Sequence, residues 1–189
     1  EALHGPGELE SPMELLWINL VSDVLPGLGL ALAEPEPGIM AVAPRPRDEG
    51  IIPLRDAKRM LRDGGILATA ALIAHFIGLA RHGPGSVTRG MTFLTLSQVQ
   101  LLYTLICQRG DPEDLELRRV FENRSLDGAL IGASLLGFLP FVVPSLRRLL
   151  KIARLGPFDT SIALAATALP LVTVTAHRNR RRDREKSQP

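Results

Sequence analysis

The sequence predicts an all-α, polytopic membrane bundle of about five spanning helices. Three observations predict it. Apolar residues fill 46% of the 189 positions while 22% are charged, so the two must be segregated along the chain. Five windows, 15–32, 64–80, 90–108, 128–145 and 160–177, hold no Lys, Arg, Asp or Glu apart from Asp23. A bilayer core asks for about 20 apolar residues per helix, with about 17–25 as the working range. Finally, the windows lack the polar stripe of a soluble bundle. "GALIGASLLGFLPFVVPS" is apolar all round, and "SIALAATALPLVTV" offers only hydroxyls.

Residues 1–12, "EALHGPGELESP", carry the breakers Gly5, Pro6, Gly7 and Pro12 and are expected to be loop. The first span follows from about Met13 to Ala33, with Trp17 suited to the membrane interface and "EPEP" stopping the helix. In the long connection 34–63 the first half is too rich in proline for helix. Its second half, 54–62, reads as a short amphipathic helix at the interface. The second span ends before the tight turn "RHGPGS", and the third starts near Thr92. "RGDPEDLELRRVFENR" is a charged hairpin connection leading into the fourth span. "SLRRLLKIARLG" then places Leu146, Leu149, Leu150 and Ala153 on one face and Arg147, Arg148, Lys151 and Arg154 largely opposite, an interfacial helix by its periodicity. The fifth span leads into a basic tail, 178–189.

Charge placement gives an orientation. Connections 34–63 and 109–124 and the tail 178–189 hold sixteen Lys and Arg; segments 81–89 and 145–159 hold six. The richer side is expected to be cytoplasmic, which leaves residues 1–12 outside and the C-terminus inside, in the plasma (inner) membrane. The tail "HRNRRRDREK" fits anionic lipid better than nucleic acid, and no nucleic-acid partner is expected. Cys107 alone excludes an intrachain disulfide, and His4, His75, His82 and His177 are too scattered for a metal centre. His75 is expected to be packed or hydrogen-bonded inside its helix. Asn123-Arg124-Ser125 fits a glycosylation pattern on the side expected to face the cytoplasm. The start at Glu1 fits the C-terminal part of a longer reading frame.

"LLWINLVSDVLPGLGLALAEPEP" is the informative stretch. A carboxylate in mid-membrane costs several kcal/mol (about 2.5–3.5 by insertion scales) and is by default a functional site. Asn19, Ser22 and Asp23 stand at i, i+3 and i+4 on one helix face, and all offer oxygen, the donor that hard cations such as Ca²⁺ prefer. Pro26 removes a backbone donor, frees a carbonyl near Ser22 and favours local unwinding. The competing reading is a polar knot bonded to a neighbouring helix.

"SPMELLWINLVSDVLPGLGLALAEPEP" closely resembles the sixth membrane helix of type II P-type cation-transporting ATPases, the calcium-pump family. "APRPRDEGIIP", "QLLYTLICQRG", "FENRSL" and "LGPFDTSIALAATALPLV" resemble later segments of that region in the right order, so residues 13–177 are similar to helices six to ten. The resemblance implies a C-terminal transmembrane transport domain in which Asn19, Ser22 and Asp23 bind the transported ion. Gln100 stands where two-site calcium pumps carry an acidic ligand. It either contributes an amide oxygen or only hydrogen-bonds within the bundle. Ser22 replaces the common Thr, and Val24 a frequent Gly.

Ca²⁺ takes about 6–8 oxygens, and the trio supplies at most about four side-chain oxygens. The resemblance places the remainder on the fourth and fifth of the parent's first five membrane helices, and Mg-ATP on N-terminal ATPase domains that carry the phosphorylated "DKTGT" segment, none of it in this sequence. The expected partners are those domains and the lipid bilayer. The chain alone would not hydrolyse ATP. The alternative is a free-standing membrane accessory protein that docks with a pump without transporting.

Overall fold

The structure, a computed structural model, describes residues 11–32, 39–41, 52, 54–107, 124–170 and 172–173. Every regular element among them is helical: α1 (Pro12–Asn19), a π-turn (Leu20–Val24), α2 (Leu25–Ala31), a short 3₁₀ turn (Ile39–Ala41), α3 (Leu54–His82), α4 (Ser86–Cys107), α5 (Arg124–Val142), α6 (Pro144–Leu149) and α7 (Pro157–Thr167). The expected all-α bundle is what the chain forms.

Among the described residues, three helical stretches, against the five spans expected, are long and apolar enough to cross a membrane: Pro12–Ala31, Ala57–His82 and Ser125–Val142. The helix α4, 22 residues long, is the hub that packs against α1, the π-turn, α3, α5 and α7. Its interior positions are polar as often as apolar. Thr88, Thr92, Thr95, Ser97 and Gln98 are buried beside Met91, Phe93, Leu94 and Val99. Outward positions run the other way: Leu16, Leu20, Phe76, Ile131, Leu135 and Val142 are all exposed. Polar groups inside and large apolar groups outside suit a hydrocarbon solvent, where interhelical hydrogen bonds and close packing hold helices together.

Ser11 starts α1 with a capping box: its hydroxyl accepts from the Glu14 N–H (3.3 Å) and its own N–H donates to Glu14 Oε2, with Pro12 in the first turn. The α3–α4 hairpin turns at Gly83, whose φ of +72° is left-handed and whose N–H donates to the Leu79 carbonyl (2.9 Å).

Four boundaries differ from the sequence expectation, one being the fifth span, expected over 160–177, whose helix α7 starts at Pro157 and ends at Thr167. The predicted interfacial helix 54–62 is continuous with the second span, making one helix of 29 residues. Gly64 and Gly65 cost helix about 1 kcal/mol each but do not break it. Asp63 is held there by Arg62 (2.8 Å), Arg59 (3.8 Å) and the Tyr103 hydroxyl of α4. The third span starts at Ser86, not near Thr92, because the Thr88 and Thr92 hydroxyls bond back to backbone carbonyls and Arg89 finds a carboxylate. The predicted helix over "SLRRLLKIARLG" stops at Leu149. Lys151 turns left-handed (φ +52°), and the expected shared face splits: Leu149 is 51% exposed while Leu150 and Ile152 are buried. The charged hairpin 109–124 up to residue 123, the "EPEP" segment and the basic tail lie outside the described residues.

Among the described residues the ion pairs are confined to the two ends, while Asp23 stands alone in mid-span. At one end Glu14 pairs with Arg89 (2.6 Å), and Asp159 with His82 (3.0 Å) and Arg81 (3.3 Å). At the other, Asp63 meets Arg59, Arg62 and Tyr103. Between them the contacts are neutral: the Ser134 hydroxyl donates to Gln98 Oε1 (2.7 Å) and Thr95 donates to the Ala163 carbonyl (3.2 Å). His75 is hydrogen-bonded, as expected. Thr92 gives its one proton to the Thr88 carbonyl, so His75 Nδ1–H donates to Thr92 Oγ1 (3.0 Å).

Candidate cation site

Asn19, Ser22 and Asp23 sit where α1 gives way to the π-turn. Pro26, in the first turn of α2, has no N–H to offer the Ser22 carbonyl four residues back, and its ring would crowd that carbonyl in a regular helix. The backbone responds by widening. Asn19, Val24 and Leu25 all keep right-handed helical dihedrals, so the expected unwinding is a π-turn instead. Such turns are rare within α-helices and frequent at functional sites.

The turn divides the polar residues. Ser22 is buried and its hydroxyl donates to Asp23 Oδ1 (3.2 Å). Asn19 and Asp23 are exposed, beside Leu16, Leu20 and Val24, on a side of the rod that no described helix of this chain covers. The opposite side is anchored. Val21 packs with Leu101, Leu126, Leu130 and Ala133, and Ile18 with Phe93, Leu150 and Ile152.

Register relates the trio to Gln100. The first span and α4 run parallel, Glu14 meeting Arg89 across 75 residues and Ile18 meeting Phe93. The same offset brings Asp23 level with Gln98, two residues and about 3 Å of helix rise from Gln100. Gln100 follows Phe93 and Leu96 on the face of α4 that receives α1. Its Oε1 is buried with no hydrogen-bond partner. Orphaned buried acceptors are uncommon and ask for a proton donor or a cation. The structure makes no hydrogen bond between Gln100 and the trio.

Sequence reasoning missed several buried polar residues. Glu14 is fully buried, with Oε2 on Arg89 and Ser11 and Oε1 unpartnered. Asp63 was assigned to a connection, and Asp159 to the edge of one. The "SPME" capping pattern carried a local signal for Glu14; its partner 75 residues away did not.

Fold and site together define a class: a helical membrane bundle with a carboxylate set into a break in one span. Residues 11–179 match the family described as "Cation transporting ATPase, C-terminus", and the chain belongs to that family. It is 27% identical over 161 residues to a calcium-transporting ATPase of Bacillus subtilis, covering 84% of this chain and 18% of that protein. A calcium-transporting ATPase of Listeria monocytogenes is 32% identical over 166 residues, covering 86% and 18%. One from Schizosaccharomyces pombe is 27% identical over 157 residues, covering 82% and 17%. The chain thus spans less than a fifth of the length of these relatives.

Proposed function

We propose that residues 13–177 are the C-terminal transport domain of an ATP-driven calcium pump, and that Asn19, Ser22 and Asp23 form part of its intramembrane cation site. The observation that carries this is the π-turn, which sets a carboxylate and a hydroxyl into an otherwise apolar span. Family membership and the calcium-transporting relatives support the pump over a free-standing accessory protein.

In this reading Asp23 supplies charge and Asn19 an amide oxygen, while Ser22 orients the Asp23 carboxylate through its hydrogen bond. Gln100 Oε1, buried and unpartnered on the neighbouring face, is a candidate for a further oxygen. The uncovered side of the rod is where the rest of the pump would bring the remaining ligands, since Ca²⁺ needs about 6–8 oxygens. ATP hydrolysis belongs to domains outside this sequence; rocking of the helices would alternately hold and release the ion. Residues 1–12 would lie outside and the tail 178–189 in the cytoplasm, as the charge count supports.

The test is calcium-dependent phosphorylation by ATP of the protein expressed from its full reading frame. Asp23→Ala is expected to abolish the dependence. Wild-type calcium dependence in that variant would overturn the assignment.

A further inference from the structure

The end of the bundle that carries Glu14 and Asp159 has six Lys and Arg in segments 81–89 and 145–159, and their partners divide them. Arg89 is paired with Glu14 and Arg81 with Asp159. Among the described residues, Arg147, Arg148, Lys151 and Arg154 have no ion pair, and the two described carboxylates at this end, Glu14 and Asp159, are already engaged. The unpaired four all lie on one strap, residues 144–156, between α5 and α7.

The strap is built, not loose. Leu150 and Ile152 are buried at 1% and 4% against Ile18 and Phe93, and the Ala153 N–H donates to the Ser86 carbonyl (3.0 Å). Lys151 between them takes the left-handed conformation, which lets both neighbours point inward while its own side chain stays exposed. Glycine would adopt this φ without strain. A lysine here keeps a cation at a position where the backbone alone would favour its absence. Arg148 and Arg154 are exposed on the same strap, beside the exposed apolar side chains of Val142, Leu149 and Phe158.

The strap leaves α5 at the end of a stretch long and apolar enough to cross a membrane, Ser125–Val142, which would put it at headgroup depth. We propose that residues 144–156 form a binding site for anionic phospholipid headgroups in the leaflet at this end of the bundle. The guanidinium groups match phosphate oxygens in a bidentate fork. Val142 and Leu149, both exposed, would reach toward the acyl region, as apolar side chains of interfacial segments do, while Phe158 carries the Arg81 guanidinium over its ring at 4.6 Å. The cations are spread over residues 147–154 and flanked by the exposed apolar Val142 and Leu149, which favours lipid headgroups over free phosphate. Uncompensated basic charge on the side poorer in Lys and Arg is thereby given a partner.

The test uses the protein from its full reading frame in nonionic detergent, with melting temperature followed against added phosphatidylglycerol, phosphatidylcholine or glycerol phosphate. Phosphatidylglycerol is expected to raise the melting temperature and the other two are not. The variant R147Q/R148Q/K151N/R154Q is expected to lose the shift. R148Q/K151N keeps a residue tolerant of the left-handed turn, so it serves if the fourfold variant does not fold. Its half-saturating lipid concentration should rise about thirtyfold, at about fivefold per cation near a membrane surface. An unchanged shift in these variants would overturn the proposal, as would an equal shift with phosphatidylcholine or glycerol phosphate.

Discussion

The first span and α4 run parallel through the same bundle and are both polar at the same level, yet they treat their polar residues in opposite ways. The helix α4 is unbroken. Thr92, Thr95, Ser97 and Gln98 are buried in it and each finds a partner within the chain. The first span is interrupted by a π-turn, and two of its three polar residues, Asn19 and Asp23, face away from the bundle. Polar residues that satisfy one another serve as glue. A carboxylate turned outward from a membrane span, bonded among the described residues by a neighbouring serine, is what the proposed cation site requires.

That contrast rests on the parallel register, which the Glu14–Arg89 pair and the Ile18–Phe93 contact set together. Arg89→Ala would leave the Glu14 carboxylate buried and uncompensated, at a cost of about 3–5 kcal/mol. The expected result is the largest loss of stability of any single change here, read by thermal unfolding in detergent. A loss no greater than that of an exposed arginine would show that the pair does not fix the register.

Close approach of α2 to α5 is the next determinant. A Cβ on Gly29 would lie 2.8 Å from the Ala129 Cβ and 3.0 Å from the Leu126 Cα. Gly29→Val should therefore push α2 off α5 at about 1–3 kcal/mol. Because Val21 packs on the same cluster of Leu126 and Leu130, the variant should also weaken calcium dependence in the intact protein. A smaller effect is expected for the glue itself. Gln98→Ala removes its bonds to Ser134 and should cost about 0.6–1.7 kcal/mol, the range for interhelical hydrogen bonds in membranes. Ion binding should be left unchanged.

The smallest effect is pH-dependent. The His82 hydrogen bond, then the charges of His82 and Arg81, hold the Asp159 carboxyl below its ordinary range. A carboxyl whose folded value is depressed stabilises the fold above its unfolded value, near pH 3.9, and loses that contribution as pH falls through the folded value. Arg81 is 41% exposed, so the loss should amount to tenths of a kcal/mol. Asp159→Asn should flatten the acid limb of a stability–pH curve below about pH 4 without moving the neutral baseline by more than one lost pair.

Much of this architecture was legible in the sequence because a membrane imposes a coarse rule. Charge-free windows of spanning length mark helices whatever they pack against, and the "HGPGS" turn marks their reversal. Asn19, Ser22 and Asp23 stood out for the same reason, as oxygen donors where lipid would forbid them. What the sequence concealed depends on partners far along the chain. Arg89 reads as a connection residue until Glu14 neutralises it, so the start of α4 was placed six residues late. Asp63 reads as the end of a loop until Tyr103 and two arginines hold it inside a continuous helix. The π-turn hid behind Pro26, because proline announces a disturbance but not whether the helix opens or widens.

The most direct test is equilibrium calcium binding by the intact protein, wild type against Asp23→Asn, which keeps the side chain's shape and removes its charge. Saturable binding by the wild type, lost or weakened at least about a hundredfold in the variant, is the expected result. That corresponds to roughly 3 kcal/mol for one liganding charge. Equal binding by the two proteins would place the ion elsewhere and leave the π-turn without the role assigned to it.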